Sequence, residues 1–272
     1  MKHSYPVILT MGALCFAFQT AQATLLLSEA FNYTTPGTLG GNVNPSTGYT
    51  WTGGNNLTIA SGDLTYGGLP DQGGNELSVV NGSAGSGINV FANVTSGSVY
   101  YSFLLDCTAT PTGNSYLTAL NPGTTPPGGS GDALSVYIYS NATGYRLGLR
   151  TGGASAVTTP SGSPLSVGST YFVVVQYDFS ATLASLYLNP TPGDIQPAAT
   201  LSLAPTTAPT AIDNVGFKSQ STAGASYLVD NLLIGTQWAD VAPSAVPEPS
   251  IFALMGLGLL GLISSARRQV RR

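Results

Sequence analysis

The chain has 272 residues, of which only 7% are charged, together with 34 glycines and 18 prolines. That length is enough for one domain with a sizeable core. Between the two ends lie eleven acidic residues against three basic ones, Arg146, Arg150 and Lys218, a balance that repels phosphate backbones and excludes a nucleic-acid partner.

The first segment, residues 1–23, reads as a secretory signal peptide. Lys2 supplies the basic start, residues 7–18 the apolar run, and Ala21-Gln22-Ala23 the small-x-small triplet, which predicts cleavage before Thr24. Cleavage removes His3, the sole histidine, and Cys15, one of the two cysteines. The exported chain then keeps a single thiol, Cys107, and no imidazole. An intramolecular disulfide, a Ser-His-Asp or Cys-His nucleophile and a zinc site built on His or several Cys are all excluded.

Residues 24–242 form the body, and it reads as strands and loops. Turn-forming stretches such as "TTPGTLGGNVNPSTG" and "NPGTTPPGGSGD" separate runs of period-two character, which predict strands at 98–106, 133–140, 145–151, 170–180, 183–189, 211–219 and 227–238. No helical stripe of comparable length is present. Alternation sends Tyr145, Leu147 and Leu149 to one face and Arg146 and Arg150 to the other. The run 170–180 is apolar on both faces until its end, which predicts a central strand. Cys107 closes the strand 98–106 and reads as a small buried or edge residue. The economical way to bury so many half-apolar strands is an all-β, two-sheet antiparallel jelly-roll sandwich.

The stretches "LLLSEAFNYTTPGTLGG", "SVGSTYFVVVQYDFS" followed by "ATLASLYLNP", and "YLVDNLLIGTQWADV" resemble the laminin-G-like, concanavalin A-like jelly rolls of bacterial surface proteins. The resemblance implies that the first and last strands lie side by side and that the run 170–180 is followed by a hairpin partner. It implies little about function, because such folds host sugar binders, protein binders, hydrolases and spacers. Retaining glycosidases need two carboxylates about 5 Å apart. Here Glu29 and Glu76 are the only glutamates between the processed ends, neither has an acid two or four positions away, and Asp71 is separated from Glu76 by the loop "DQGGNE". No catalysis is expected.

Calcium is the one cofactor to weigh, since the resemblance implies a calcium at the sandwich rim and hard oxygen ligands are what this body can supply. Asp63, Asp71 and Asp132 are the candidates, with Asp194 and Asp213 behind them. There is no D-x-D-x-D-G loop, and an aspartate beside glycine more often shapes its own turn. Trp51, Trp238 and the tyrosines offer faces for sugar stacking, although aromatics of a sandwich mostly fill its core, and Trp238 is expected to be packed. The scarcity of lysine leaves strand edges without charged blockers, which favours self-association.

Residues 243–272 read as an address. From Ile251 to Ala266 the chain is apolar except for two serines and as a helix would rise about 24 Å, enough for a thin or locally thinned membrane. Arg267, Arg268, Arg271 and Arg272 would hold the C-terminus in the cytoplasm. Pro247-Glu248-Pro249 forms a stiff junction ahead of the helix. The triplet, helix and basic end together resemble the PEP-CTERM sorting signal of Gram-negative bacteria that make exopolysaccharide. The resemblance implies recognition by exosortase, a membrane-embedded protease-transpeptidase, removal of the tail, and delivery of the body to the cell envelope or extracellular matrix. A permanent single-span anchor is the other reading of the same segment. The body is expected to bind carbohydrate or matrix, with a self-associating coat component as the alternative and, behind both, a glycoside hydrolase that would need Glu29 and Glu76 to face each other across a cleft.

Overall fold

The computed structural model describes residues 25–245 apart from 83–84, 129–131, 152–161, 206 and 220–223. The expected cleavage residues Ala21, Ala23 and Thr24, the triplet Pro247-Glu248-Pro249, the helix from Ile251 to Ala266 and the four terminal arginines lie outside the described residues.

Strands alternate with tight turns along the described chain: β1 (Leu25–Glu29), β2 (Gly37–Thr38), β3 (Thr52–Gly53), β4 (Thr58–Ala60), β5 (Glu76–Val79), β6 (Gly85–Val94), β7 (Ser98–Cys107), β8 (Ser115–Asn121), β9 (Leu134–Asn141), β10 (Gly144–Thr151), β11 (Thr170–Asp178), β12 (Leu183–Leu188), β13 (Leu201–Leu203), β14 (Ile212–Ser219) and β15 (Tyr227–Gly235). They form two antiparallel sheets. The nine-stranded one runs β13-β12-β11-β7-β15-β5-β4-β2, with β1 also against β15, and the six-stranded one runs β10-β9-β8-β14-β6-β3. The fold is therefore an all-β two-sheet sandwich. β11 lies between β7 and β12, which makes it an interior strand with a hairpin partner as its two apolar faces require.

The first and last strands pair, Leu25 opposite Gly235 and Glu29 opposite Leu232. The same edge of β15 serves β5 through Tyr227–Val229. Between the two stretches the register with β7 shifts across Asp230–Leu233, and Asn231 takes φ 52°, a bulge that bends the strand so that two short partners share one edge.

The strand expected over 227–238 stops at Gly235, and Trp238–Val241 forms a one-turn helix, α1. Asp240 stops it: its Oδ2 accepts the N–H groups of Thr236 at 3.0 Å and Gln237 at 2.9 Å. A side chain at position 235 would collide with Asp240, so only glycine lets the chain turn here. β6 and β8 were not expected, and together they hold the centre of the six-stranded sheet beside β14.

The main core lies between the sheets. Phe31, Trp51 and Phe217 meet there with ring centroids 6.1–6.2 Å apart, and Tyr101, Phe103, Tyr177 and Tyr227 are fully buried around them. Each such side chain withdraws enough apolar area to contribute about 2–3 kcal/mol. Cys107 belongs to this core, and burial, with the Asp106 carboxylate nearby, pushes its thiol up to about 12.

A second apolar layer covers the outer face of the nine-stranded sheet. Tyr100, Leu104, Phe172, Val174 and Leu233 face outward from it and are roofed by Leu64 and Tyr66 and by Trp238, Val241 and Ala242 of the closing segment. Trp238 is packed as expected, edge-on to Tyr187 at 5.0 Å, with its indole N–H donating to the Asp194 carbonyl at 2.9 Å. Backbone bonds staple this roof: Gly193 N–H to Ala242 O at 2.8 Å and Ala245 N–H to Gly68 O at 2.7 Å.

Candidate functional site

The exterior of the six-stranded sheet carries the chemistry that stands apart from the rest of this acidic body. Strand alternation in β10 buries Tyr145, Leu147 and Leu149 in the core and so turns Arg150 outward, as the sequence predicts. In β9 the same rule buries Val136 and Ile138 and turns Tyr137 and Tyr139 outward. Tyr116 of β8 pairs across from Tyr137, and Arg146 across from Tyr139. Lys218 comes from β14, between the core residue Phe217 and the strand end.

These side chains converge. The rings of Tyr116 and Tyr137 lie 4.2 Å apart. Arg150 donates from Nη1 to the Tyr116 hydroxyl at 2.5 Å and to the Tyr137 hydroxyl at 2.9 Å. Lys218 Nζ stands 5.0 Å from the Tyr116 ring centroid and the Arg150 guanidinium 5.9 Å, both within the range of cation–π attraction. Burial, with the Tyr116 hydroxyl beside it, raises the Tyr137 phenol well above its ordinary value, while Tyr139 is pushed up to about 12 by burial. Both stay neutral hydrogen-bonding groups at physiological pH. The result is a cluster of packed tyrosine rings and hydroxyls with two cations on one sheet exterior, where an anionic group would find opposite charge.

Asp132 supports this surface from beneath. Its carboxylate accepts from Ser135 Oγ at 2.6 Å, Asn121 Nδ2 at 3.1 Å and Gly128 N–H at 3.1 Å, and its charge acts on Arg150. Asp63 and Asp71, the other two calcium candidates, lie on the opposite side of the molecule, on the loop between β4 and β5. Asp63 neighbours both Asp71 and the carboxyl of Asp230 on β15, and burial together with the Asp71 charge raises its own carboxyl. The three candidates therefore do not come together. Asp71 instead caps its own turn, accepting Gly73 N–H at 2.7 Å, as Asp213 binds Gly123 N–H. Among the described residues no group of three or more His, Cys, Asp or Glu side chains is placed to hold a metal ion.

Asp230 is 1% exposed. Burial pushes its carboxyl up to about 8, against the pull of N–H donors from Leu64 and Asn231. Glu76 is raised in the same region by burial and by the charges of Asp106 and Asp63.

The two glutamates weighed as a hydrolytic pair face opposite ways. Glu29 shares a face of β1 with the core residue Leu27 and is tied by four donors: Phe31 N–H at 2.8 Å, Tyr33 hydroxyl at 2.5 Å, Asn44 Nδ2 at 2.9 Å and Trp51 Nε1 at 2.8 Å. Glu76 alternates with the core residues Leu77 and Val79, so it sits on the outer face with Asp106 and Asp63. Trp51 is likewise structural, buried against Phe217 and bound to Glu29. Sequence reasoning missed Tyr116, Tyr137 and Tyr139 as site residues. The alternation in "LSVYIYS" marks the latter two as neighbours, whereas Tyr116 and Lys218 meet only through the β8–β14 pairing.

Similar solved structures include the T. cruzi calreticulin globular domain (13% identity, 79% of this chain and 88% of that one, TM-score 0.49) and lectin II from Ulex europaeus (13%, 77% and 97%, 0.44). Trypanosoma rangeli sialidase is also similar (15% identity, 80% of this chain, TM-score 0.45), though the match spans only 31% of that chain. No curated protein matches the sequence. Residues 245–269 match the PEP-CTERM protein-sorting motif, and the chain thus carries a sorting signal behind its sandwich.

Proposed function

We propose that this protein is exported through the inner membrane of a Gram-negative-type bacterium, sorted by an exosortase, and retained in the cell envelope or matrix as a non-catalytic module that binds acidic polysaccharide. In this reading the signal peptide is cleaved before Thr24, Pro247-Glu248-Pro249 is the recognition triplet, and the apolar run from Ile251 with its arginines holds the chain in the membrane until processing. The sorting motif supports the route.

One observation carries the binding reading: Arg150 and Lys218, two of the three basic residues between the ends, are gathered over Tyr116 on one sheet exterior. In a body with eleven acidic residues, that face is where a polyanion meets attraction instead of repulsion. The opposed orientations of Glu29 and Glu76 support the non-catalytic part, since a glycosidase needs both carboxyls on one cleft.

Affinity electrophoresis of the purified protein in gels containing alginate, with dextran as neutral control, tests the reading. Alginate should retard migration, added salt should abolish the retardation, and Lys218→Gln should weaken it several-fold with folding unchanged. Retardation by dextran alone, by neither polymer, or by alginate to the same extent in the variant would overturn it.

A further inference from the structure

Two glycines on the exterior of the six-stranded sheet each receive a side chain from across a narrow gap. In β14 the core residues Val215 and Phe217 point inward, which leaves Gly216 and Lys218 on the outer face. A Cβ at Gly216 would stand 2.6 Å from Pro127 Cδ and 2.9 Å from Ile88 Cγ2. The missing side chain is therefore what admits the loop between β8 and β9 onto the strand, with Pro127 buried there. The next residue, Gly128, has φ 103°. A Cβ on it would fall on the Lys218 ammonium and lie 2.7 Å from Cδ and 2.8 Å from Cε. The end of the lysine thus runs over bare backbone on one side, while its Nζ stands 5.0 Å from the Tyr116 ring centroid on the other.

The loop is tied down on both sides of this contact. Asp132, 2% exposed, accepts the Gly128 N–H at 3.1 Å and binds Asn121 and Ser135 as well. Asn121 in turn donates to the Thr125 carbonyl at 3.3 Å and accepts the Ala133 N–H at 2.8 Å. Gly123 is held to β14, its N–H by Asp213 and its carbonyl by Asn214 Nδ2 at 2.7 Å. A lysine on an open strand samples many rotamers, and fixing it when a ligand arrives costs entropy; walls that already confine it remove part of that cost. We propose that Gly128 is the positioning residue of this face: lacking a side chain, on a loop clipped by Asp132, it seats the Lys218 ammonium beside Tyr116, where Lys218 and Arg150 meet one polyanion together. The inference rests on the polyanion-binding reading of the face. Gly128 acts through Lys218, and Arg150 is placed independently by the hydroxyls of Tyr116 and Tyr137.

Affinity electrophoresis in alginate gels of the wild type, Gly128→Ala, Lys218→Gln and the double variant forms a double-mutant cycle. Gly128→Ala displaces the lysine from its seat and should weaken retardation several-fold. In the Lys218→Gln background the same replacement should change nothing further, because the side chain it displaces is gone. The alanine also strains a left-handed backbone, a cost common to both backgrounds that the cycle removes. An equal loss in both backgrounds, or no loss in Gly128→Ala alone, overturns the positioning and leaves the binding reading intact. A wild type that alginate does not retard overturns both. A second measurement needs no variant. Lys2 and Lys218 are the only lysines of the chain, so peptide mass spectrometry follows the acetylation of Lys218 by limiting acetic anhydride without ambiguity. Lys218 should react several-fold more slowly in the folded protein than in urea, and more slowly again with alginate present. Equal rates in the folded and unfolded protein, or retardation by alginate without protection of Lys218, overturn the proposal even if Gly128→Ala fails to fold.

Discussion

Replacing Asp230 with asparagine should flatten the dependence of folding stability on pH. In the native protein burial pushes this carboxyl up to about 8 from an ordinary 3.8. A folded-state pKa above the unfolded one means that the native state holds one proton more than the unfolded chain throughout that interval. Stability is then full below pH 4 and falls as pH rises towards 8, by about 1.4 kcal/mol per unit. Between pH 5 and pH 7 the wild type should lose about 2–3 kcal/mol from this group. Asp63, Glu76 and Asp106, all raised by burial on the same sheet face, push in the same direction.

Asparagine cannot ionise, so the slope due to Asp230 disappears. It also carries one acceptor oxygen where Asp230 receives two N–H groups on its two oxygens, Leu64 at 3.1 Å and Asn231 at 2.7 Å. One of these bonds is lost at a cost of about 1 kcal/mol. The variant should therefore be less stable than the wild type at pH 4 and more stable from pH 5 upwards, with the two curves crossing between pH 4 and pH 5. Urea unfolding followed by the fluorescence of the buried residues Trp51 and Trp238, at pH 4, 5, 6, 7 and 8, measures this. Parallel curves for the two proteins would refute the assignment of the proton to Asp230.

Glu29→Gln should destabilise the fold by about 2 kcal/mol, because one carboxylate oxygen that accepts a hydrogen bond is replaced by an NH2 group among four donors; thermal unfolding measures it, and an unchanged midpoint would remove Glu29 from the list of structural anchors. Cys107, buried with its thiol pushed up to about 12, should react with a maleimide at pH 8 at least about a hundredfold more slowly in the folded protein than in urea; comparable rates would mean that the strand end at Cys107 is open.

The strands legible in the sequence are those whose apolar residues recur at every second position or fill both faces, such as β7, β11 and β15. β6, "GSGINVFANV", and β8, "SYLTALN", escape because Gly, Ser, Thr and Asn interrupt their apolar alternation. The end of β15 was placed three residues too far along, since the apolar pattern continues into Trp238 while the turn is imposed by Asp240 from beyond the strand. Arg146 and Arg150 on one face could be read from alternation within β10. The meeting of Lys218 with Tyr116 could not, because it depends on a pairing between strands about a hundred residues apart. Asp230 gave no signal either: it sits in an apolar run, and only the bulge at Asn231 and the loop bearing Asp63 make it a buried acid.

The bonds from Ala245 N–H to Gly68 O and from Gly193 N–H to Ala242 O work as two hasps on the closing segment. Peeling that segment from the sheet would break both and would bare Leu104, Phe172 and Val174 to water together, so the lid should open as one cooperative unit and not by gradual fraying.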